Sequence, residues 1–509
     1  MEKKKIESGF VPTIESLFQY AITTINAIPA FWVLFILFAG NFLTFIPDGN
    51  EENYLQLSKQ FVNPGWIPNS FSLTEFPGTR LLYQYICGFF LQYISFETLT
   101  FLGRLLILIW YACALSALLK KFSFDNVYSL FLFQGLFFIQ QATFGGENFL
   151  LGFEPKHIAY GFVLLALNTF VEKKYIETTV FILLASWFHI LLGGWFFGAY
   201  IMYQFFNKEV SIKQVFIMGG LYSLLLAPFV YYLANEIILH SSKTNGIFSA
   251  DWIYTYYRNP HHTAIFSSLD YFYDYHAKGV LWSFVIAVVS ICIFPEVLVP
   301  KLFQLNKFVV VMSCILFVNV ILAFFDKEGH FLKYYPFRLA SMQLFLFYII
   351  ALSVVKEYFV KQHIFQSAAI VIVLFFFGMS VILNAYKMIR FIRNTNSSFY
   401  EMTTYINQHT PKDAVVYYAD KSEDFTLSFT RKAQRDRFVV YKFVPAGTNK
   451  IYEWYDRIQI QQKSEKNIDS LLKARIKYKI DYVLTKDSIV NDGFVPVKKA
   501  GAYMLYKLQ

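Results

Sequence analysis

The sequence predicts an α-helical polytopic membrane protein, with about eleven membrane-spanning helices followed by a soluble α/β domain at the C-terminus. Three observations carry that prediction. The chain has 509 residues, of which 56% are hydrophobic and 16% charged, with a mean hydropathy of +0.41. That is more apolar surface than one soluble core can hide. Long runs almost free of charge, such as Phe31 to Ile46 and Phe308 to Phe325, approach the ~20 residues a helix needs to cross a hydrocarbon layer. Lysines gather in pairs at alternate ends of these runs, as expected of turns that remain in the cytoplasm.

The first span, Pro29 to Ile46, follows Lys3, Lys4 and Lys5 and should leave the cytoplasm. It has no small-residue cleavage site near it and is read as a retained helix, not a signal peptide. Arg80 to Phe96 is apolar but short, and is read as a juxtamembrane or re-entrant helix. Counting it as a span would invert every later lysine pair. Leu99 to Leu119 returns inward to Lys120 and Lys121, and Val127 to Ala142 goes out. His157 to Phe170 comes back to Lys173 and Lys174. Thr179 to Leu192 goes out, and Trp195 to Phe206 returns to Lys208 and Lys213. Val215 to Leu233 goes out, and Val280 to Val297 returns to Lys301 and Lys307. Phe308 to Phe325 goes out, Phe337 to Val354 returns to Lys356 and Lys361, and Ala368 to Asn384 exits.

This register divides the chain into a membrane domain, 1–393, and a domain outside the membrane, 394–509. Its outer loops are 47–98, 143–157, 235–279 and 326–337. In the second domain Ala414 to Tyr418, Phe438 to Tyr441, Asp481 to Leu484 and Tyr503 to Tyr506 alternate as strands. Ile451 to Ile460 and Ile468 to Ile476 have helical spacing, and Thr410-Pro411-Lys412-Asp413 is a turn.

Composition also removes some function classes. The net charge of +10 is spread over helix ends and forms no single basic face, so nucleic acid is not an expected partner. The four cysteines, Cys87, Cys113, Cys292 and Cys314, all lie in apolar segments, so neither a disulfide framework nor a zinc site is indicated.

Polar residues of unusual kind collect in the outer loops. The first loop opens Asp48-Gly49-Asn50-Glu51-Glu52-Asn53-Tyr54. The second carries Glu147, then Glu154-Pro155-Lys156-His157. The long loop holds Arg258-Asn259-Pro260-His261-His262, and the last ends at Arg338. Each has an ordinary reading: helix caps for the acids, a surface pair for Glu154 and Lys156, a headgroup contact for Arg338. The histidine pair lacks a nearby third ligand for a metal. Their convergence on one side of the membrane, from four loops, favours chemistry. A base would activate a hydroxyl, and cations would hold a phosphate through forked hydrogen bonds.

Asp48, Glu52, Tyr54 and Arg104, in that order after a first span, resemble the GT-C superfamily of membrane glycosyltransferases. Thr410-Pro411-Lys412-Asp413-Ala414-Val415-Val416 resembles the start of the soluble domain many of them carry. Phe153 to Tyr160, Phe188-His189, Arg258 to His262 and Pro336 to Arg338 look closer to a poorly described bacterial branch. The resemblance implies sugar transfer from a polyprenyl-phosphate donor to a hydroxyl of a lipid, glycan or protein acceptor. The reaction would take place at the outer face of a bacterial inner membrane, within the cell envelope.

By the same resemblance Asp48 is the base and Arg338 a ligand of the donor phosphate. From their position in the outer loops, Glu51 and Glu52 are further catalytic candidates, Arg258, His261, His262 and Lys156 further phosphate ligands, and Glu147, Glu154, His157 and Tyr54 further site candidates. The acid is followed by Gly49-Asn50 where the family usually has Glu, and the second outer loop has no Asp-x-Glu metal motif. No cofactor is therefore expected to be obligatory, with a divalent metal left open. A flippase of lipid-linked saccharide and a glycan polymerase or ligase are the alternative functions.

Overall fold

A computed structural model describes residues 14–73, 80–240, 248–293, 298–359, 363–394, 397–418, 420, 427–445 and 448–509. Lys3, Lys4, Lys5 and Lys361, with parts of the first and third long loops, lie outside the described residues, as does the end of the Val280 to Val297 segment. The described residues up to Asn394 are mainly helical: α1 Ile14–Ala27, α2 Ala30–Phe42, α3 Gly49–Val62, α4 Leu81–Phe90, α5 Phe96–Lys120, α6 Asn126–Gln134 and α7 Pro155–Phe170. There follow α8 Tyr175–Phe188, α9 Ile190–Asn207, α10 Ile212–His240, α11 Ala277–Cys292, α12 Pro300–Phe325, α13 Ala340–Phe359 and α14 His363–Asn394.

Five helical stretches are long and apolar enough to cross a membrane: Phe96–Lys120, Ile212–Asn235, Leu269–Cys292, Pro300–Phe325 and Ile370–Arg393. The pair α1 and α2, bent by 98° at its break, makes a sixth if it counts as one span. These helices fit a multi-pass integral membrane protein. Start signals are those the sequence carries. Ser95 accepts a hydrogen bond from the Thr98 N–H at the head of α5. Pro155 and Pro300 occupy first-turn positions of α7 and α12, where a missing N–H costs nothing.

Other segments are helical with different bounds from those the sequence predicts. α4 covers only 10 residues, in keeping with a juxtamembrane element. α6 passes into a π-helical turn and stops at Ile139, short of Ala142. The Thr179 to Leu192 segment does not run through. His189 adopts an extended backbone (φ −153°) and caps α9, its Nδ1 accepting from the Leu192 N–H at 3.3 Å. The apolar run hides this break because the capping group is the residue itself.

Inside the bundle Gln343 of α13 ties three elements together. Its amide oxygen accepts from Ser283 of α11 at 2.8 Å, and its NH₂ donates to Ser313 of α12 at 2.8 Å. Such bonds hold helices where apolar contact alone discriminates little against lipid.

The C-terminal part adds α15 Ser398–His409, α16 Ser428–Ala433, α17 Thr448–Ser464 and α18 Ser470–Lys477 around a five-stranded sheet. Its strands are β1 Val415–Tyr418, β2 Asp436–Arg437, β3 Tyr482–Thr485, β4 Phe494–Ala500 and β5 Tyr503–Leu508, in the order β2-β1-β3-β5-β4. β1 pairs parallel with β2 and β3, and β5 pairs antiparallel with β3 and β4. Phe438 to Tyr441 lies just past its strand, which ends at Arg437. β4 was not read from the sequence because Pro496 and two lysines break its alternation. It sits at a sheet edge, where proline is tolerated.

Candidate functional site

The acidic loop builds the site's first wall. Asp48 ends the extended segment after α2 and caps α3, its Oδ1 accepting from the N–H groups of Asn50 (2.8 Å) and Glu51 (2.9 Å). Glu51 returns the bond, accepting from the Asp48 N–H at 2.8 Å, which closes a capping box. One Asp48 oxygen is thus used by the fold. Oδ2 makes no hydrogen bond or ion pair among the described residues.

Glu51 and Glu52 are committed elsewhere. Glu51 is fully buried and takes the Arg104 guanidinium on both oxygens, with Nε to Oε1 at 2.7 Å and Nη2 on Oε2. The Phe153 N–H adds a third donor. Arg104 spends its remaining donors on Thr44 Oγ1 (2.6 Å) and the carbonyls of Phe42 (3.0 Å) and Ile46 (3.2 Å). Arg104 is therefore not a mid-span charge but a clasp between α5 and the start of the first loop. Glu52 accepts from Gln56 (3.0 Å) and from Arg431 of α16 (2.7 to 3.0 Å), and Arg431 also pairs with Glu97. Sequence reading placed Arg104 and Arg431 without their partners, since nothing local links residues so far apart in the chain.

A second acid is tied to the same loop through Asn50. Glu154, fully buried at the head of α7, accepts from the Asn50 amide at 3.2 Å and lies 3.4 Å from the Lys156 ammonium. Burial alone would raise its carboxyl, but Lys156 and His157 hold it below the ordinary glutamate value. His157 is locked by Nδ1 against the Gly152 carbonyl (2.7 Å), leaving a buried Nε2 without a partner.

The third group centres on Arg338. Its guanidinium pairs with buried Glu147 and lies over the Tyr335 ring at 4.6 Å, while its Nε is buried without a hydrogen-bond partner. Burial raises the Glu147 carboxyl, and Arg338 with Lys156 more than offsets it, so Glu147 stays ionised. Gly145 and Gly146 explain how Glu147 reaches this place. Both have positive φ (77° and 60°), and a Cβ on Gly146 would lie 3.1 Å from the His262 ring. His262 donates from Nδ1 to the Gly145 carbonyl at 2.8 Å, and its ring lies 4.0 Å from that of His261. Burial, the largest influence, depresses His262 to about 3, so its imidazole is neutral near pH 7.

Tyr54 links these groups. Arg80 lies over its ring at 4.7 Å, and Glu154, Lys156 and Arg338 are all within electrostatic range of its hydroxyl. Arg258 differs from the expected phosphate ligand. It donates to the carbonyls of Tyr441 (2.8 Å) and Lys442 (3.5 Å) and to Asn259 (3.2 Å), fastening the C-terminal domain.

That domain is docked at several buried points. Asp436 accepts from the Ser70 hydroxyl and the Phe71 N–H, both at 2.7 Å, and Gln56 donates to the Leu427 carbonyl at 2.7 Å. Leu427, Val440 and Phe443 pack into the main apolar core. A chain ending at Asn394 is accordingly expected to insert but to melt at a lower temperature than the full chain, followed by tryptophan fluorescence in detergent. Equal melting temperatures would mean the docking contributes nothing to the bundle.

Residues 397–460 are similar to a family described as a domain of unknown function, DUF6798. The match covers α15 to most of α17, including Arg431, Asp436 and Lys442, and leaves the helical bundle unmatched. A search of curated proteins finds no match. Among the described residues, no group of three or more His, Cys, Asp or Glu side chains is placed to hold a metal ion.

Proposed function

We propose that this protein is a GT-C-type membrane glycosyltransferase that moves a sugar from a polyprenyl-phosphate carrier to an acceptor hydroxyl. One observation carries the reading: Asp48, after the first apolar helix, has a carboxylate oxygen with no partner among the described residues, within electrostatic range of Arg104 and Lys442. Asp48 Oδ2 takes the proton of the acceptor hydroxyl as the hydroxyl oxygen bonds to the anomeric carbon. The bond from that carbon to the phosphate oxygen breaks, and Lys156 and Arg338 stabilise the departing polyprenyl phosphate.

A lipid donor suits the surroundings. An apolar groove of about 680 Å³ between α11 and α12 is lined by Phe144, Val280, Leu281, Phe284 and Phe317. Phe144 packs on Phe337 with ring centroids 5.0 Å apart, beside Arg338. A flippase would need charged or broken helices lining a path at mid-membrane. Arg104, the charge inside the Leu99 to Leu119 span, is taken up by its clasp on the first loop, which argues against one.

In this reading about eleven helices cross the bacterial inner membrane, with the C-terminal domain outside. Reporters fused after Lys121, Lys174 or Lys307 should therefore read cytoplasm, and those after Asp251 or at the C-terminus should read outside. A cytoplasmic C-terminus would overturn the side assignment. The activity itself is tested with purified protein and a panel of polyprenyl-phosphate-linked sugars. Acceptor-dependent release of free polyprenyl phosphate is expected, and its absence across the panel would count against a transferase.

A further inference from the structure

Among the described residues, Lys442 of the C-terminal domain, in the segment after β2, lies within electrostatic range of Asp48, Glu154 and Lys156. The segment is held from both sides. Arg258 donates to the carbonyls of Tyr441 and Lys442, the Tyr441 hydroxyl donates to the Tyr257 carbonyl at 3.0 Å, and Trp454 Nε1 donates to the Val440 carbonyl at 3.1 Å. Val440 and Phe443, on either side, are buried in the main core. The backbone at Lys442 is thus fixed, and its side chain is only partly exposed.

The ammonium makes no ion pair or hydrogen bond among the described residues. Its charged neighbours are Asp48, Glu154, Arg258 and Lys156. Burial opposes its charge, the Asp48 and Glu154 carboxylates favour it, and Arg258 and Lys156 oppose it, so a half-buried ammonium that makes no hydrogen bond to these carboxylates is available to a bound anion. The Arg258 guanidinium is bonded to backbone and Asn259, which leaves Lys442, of these two, able to turn toward a ligand.

We propose that Lys442 is a phosphate ligand delivered by the C-terminal domain, and that Arg258 is the positioning residue that presents it. The inference rests on the reading of this cluster as a polyprenyl-phosphate site. It makes the docked domain a part of the binding site, with the Arg431–Glu52 and Asp436–Ser70 contacts as its seating.

The test uses the full chain in nanodiscs with farnesyl phosphate as probe and farnesol as its uncharged control. Wild type should bind the phosphate more tightly than the alcohol. Lys442→Met should weaken farnesyl phosphate roughly 10- to 100-fold, the range expected for loss of a charge-assisted hydrogen bond, and leave farnesol unchanged. Lys442→Arg should keep most of the affinity, which separates charge from packing. Arg258→Met should weaken the phosphate as Lys442→Met does, and the double variant should add little.

Should Arg338→Ala lose the phosphate preference while Lys442→Met keeps it, the phosphate site stands and the role of Lys442 is refuted. Equal losses in Lys442→Met and Lys442→Arg would refute a charge role. If wild type itself fails to distinguish phosphate from alcohol, the phosphate site falls and this inference with it.

Discussion

Asp48→Asn should cut glycosyl transfer by about 10²- to 10⁴-fold, the usual worth of a positioned general base, while leaving the melting temperature where it was. Both halves follow from the same geometry. Asn caps helices about as well as Asp, so the bonds from Asn50 N and Glu51 N to the Oδ1 position persist. What changes is Oδ2, the oxygen without a partner, which becomes an amide nitrogen unable to accept a proton. Asp48→Ala removes the cap as well and should add a stability loss of about 1 kcal/mol. The comparison is made with purified protein, by initial rates of polyprenyl phosphate release and by melting in the same detergent. Near-normal rates for Asp48→Asn would move the base to Glu154, the other carboxylate of the cluster without a guanidinium on it.

Arg338 offers a check on the other substrate. Arg338→Lys should restore only part of the rate lost in Arg338→Ala, because an ammonium lacks the planar fork that spans two phosphate oxygens.

How far the sequence led depends on the length scale of each signal. Apolar runs are local signals, and they fall on helices, five of them long and apolar enough to cross a membrane and six if the bent pair is one span. Span lengths are less legible, because a helix buried among helices, such as α7, needs no particular length to look apolar. His189 shows the limit in another way: an apolar stretch reads as continuous helix even where a side chain caps a new one. At the site, the acids and cations were visible as residue types in loops, but their division of labour was not. Glu51, Glu52 and Asp48 sit within five residues and look interchangeable in sequence. Arg104 is 53 positions from Glu51 and Arg431 is 379 from Glu52, and only those distant partners set two of the acids apart. Lys442 carried no motif at all; its place depends on how the C-terminal domain docks.

That division of labour predicts opposite consequences for neighbouring acids. Glu51→Ala strands the Arg104 guanidinium in a buried site, and breaking one side of a buried pair costs about 3–5 kcal/mol. The loss spreads, because Glu51 also holds the Asp48 and Phe153 backbone N–H groups and Arg104 holds Thr44, Phe42 and Ile46. Arg104→Ala should be as damaging, since it leaves a buried carboxylate and two loop carbonyls without their donor. Both variants should unfold at markedly lower temperature than wild type and lose activity through the displaced Asp48. Replacing both partners together, as Glu51→Gln with Arg104→Met, removes both buried charges. It should therefore recover part of the stability while leaving transfer impaired, because the Asp48 carboxylate is no longer fixed by the Arg104-anchored loop. A Glu51→Ala protein as stable as wild type but inactive would reverse the assignment, making Glu51 the chemical acid and Asp48 its cap.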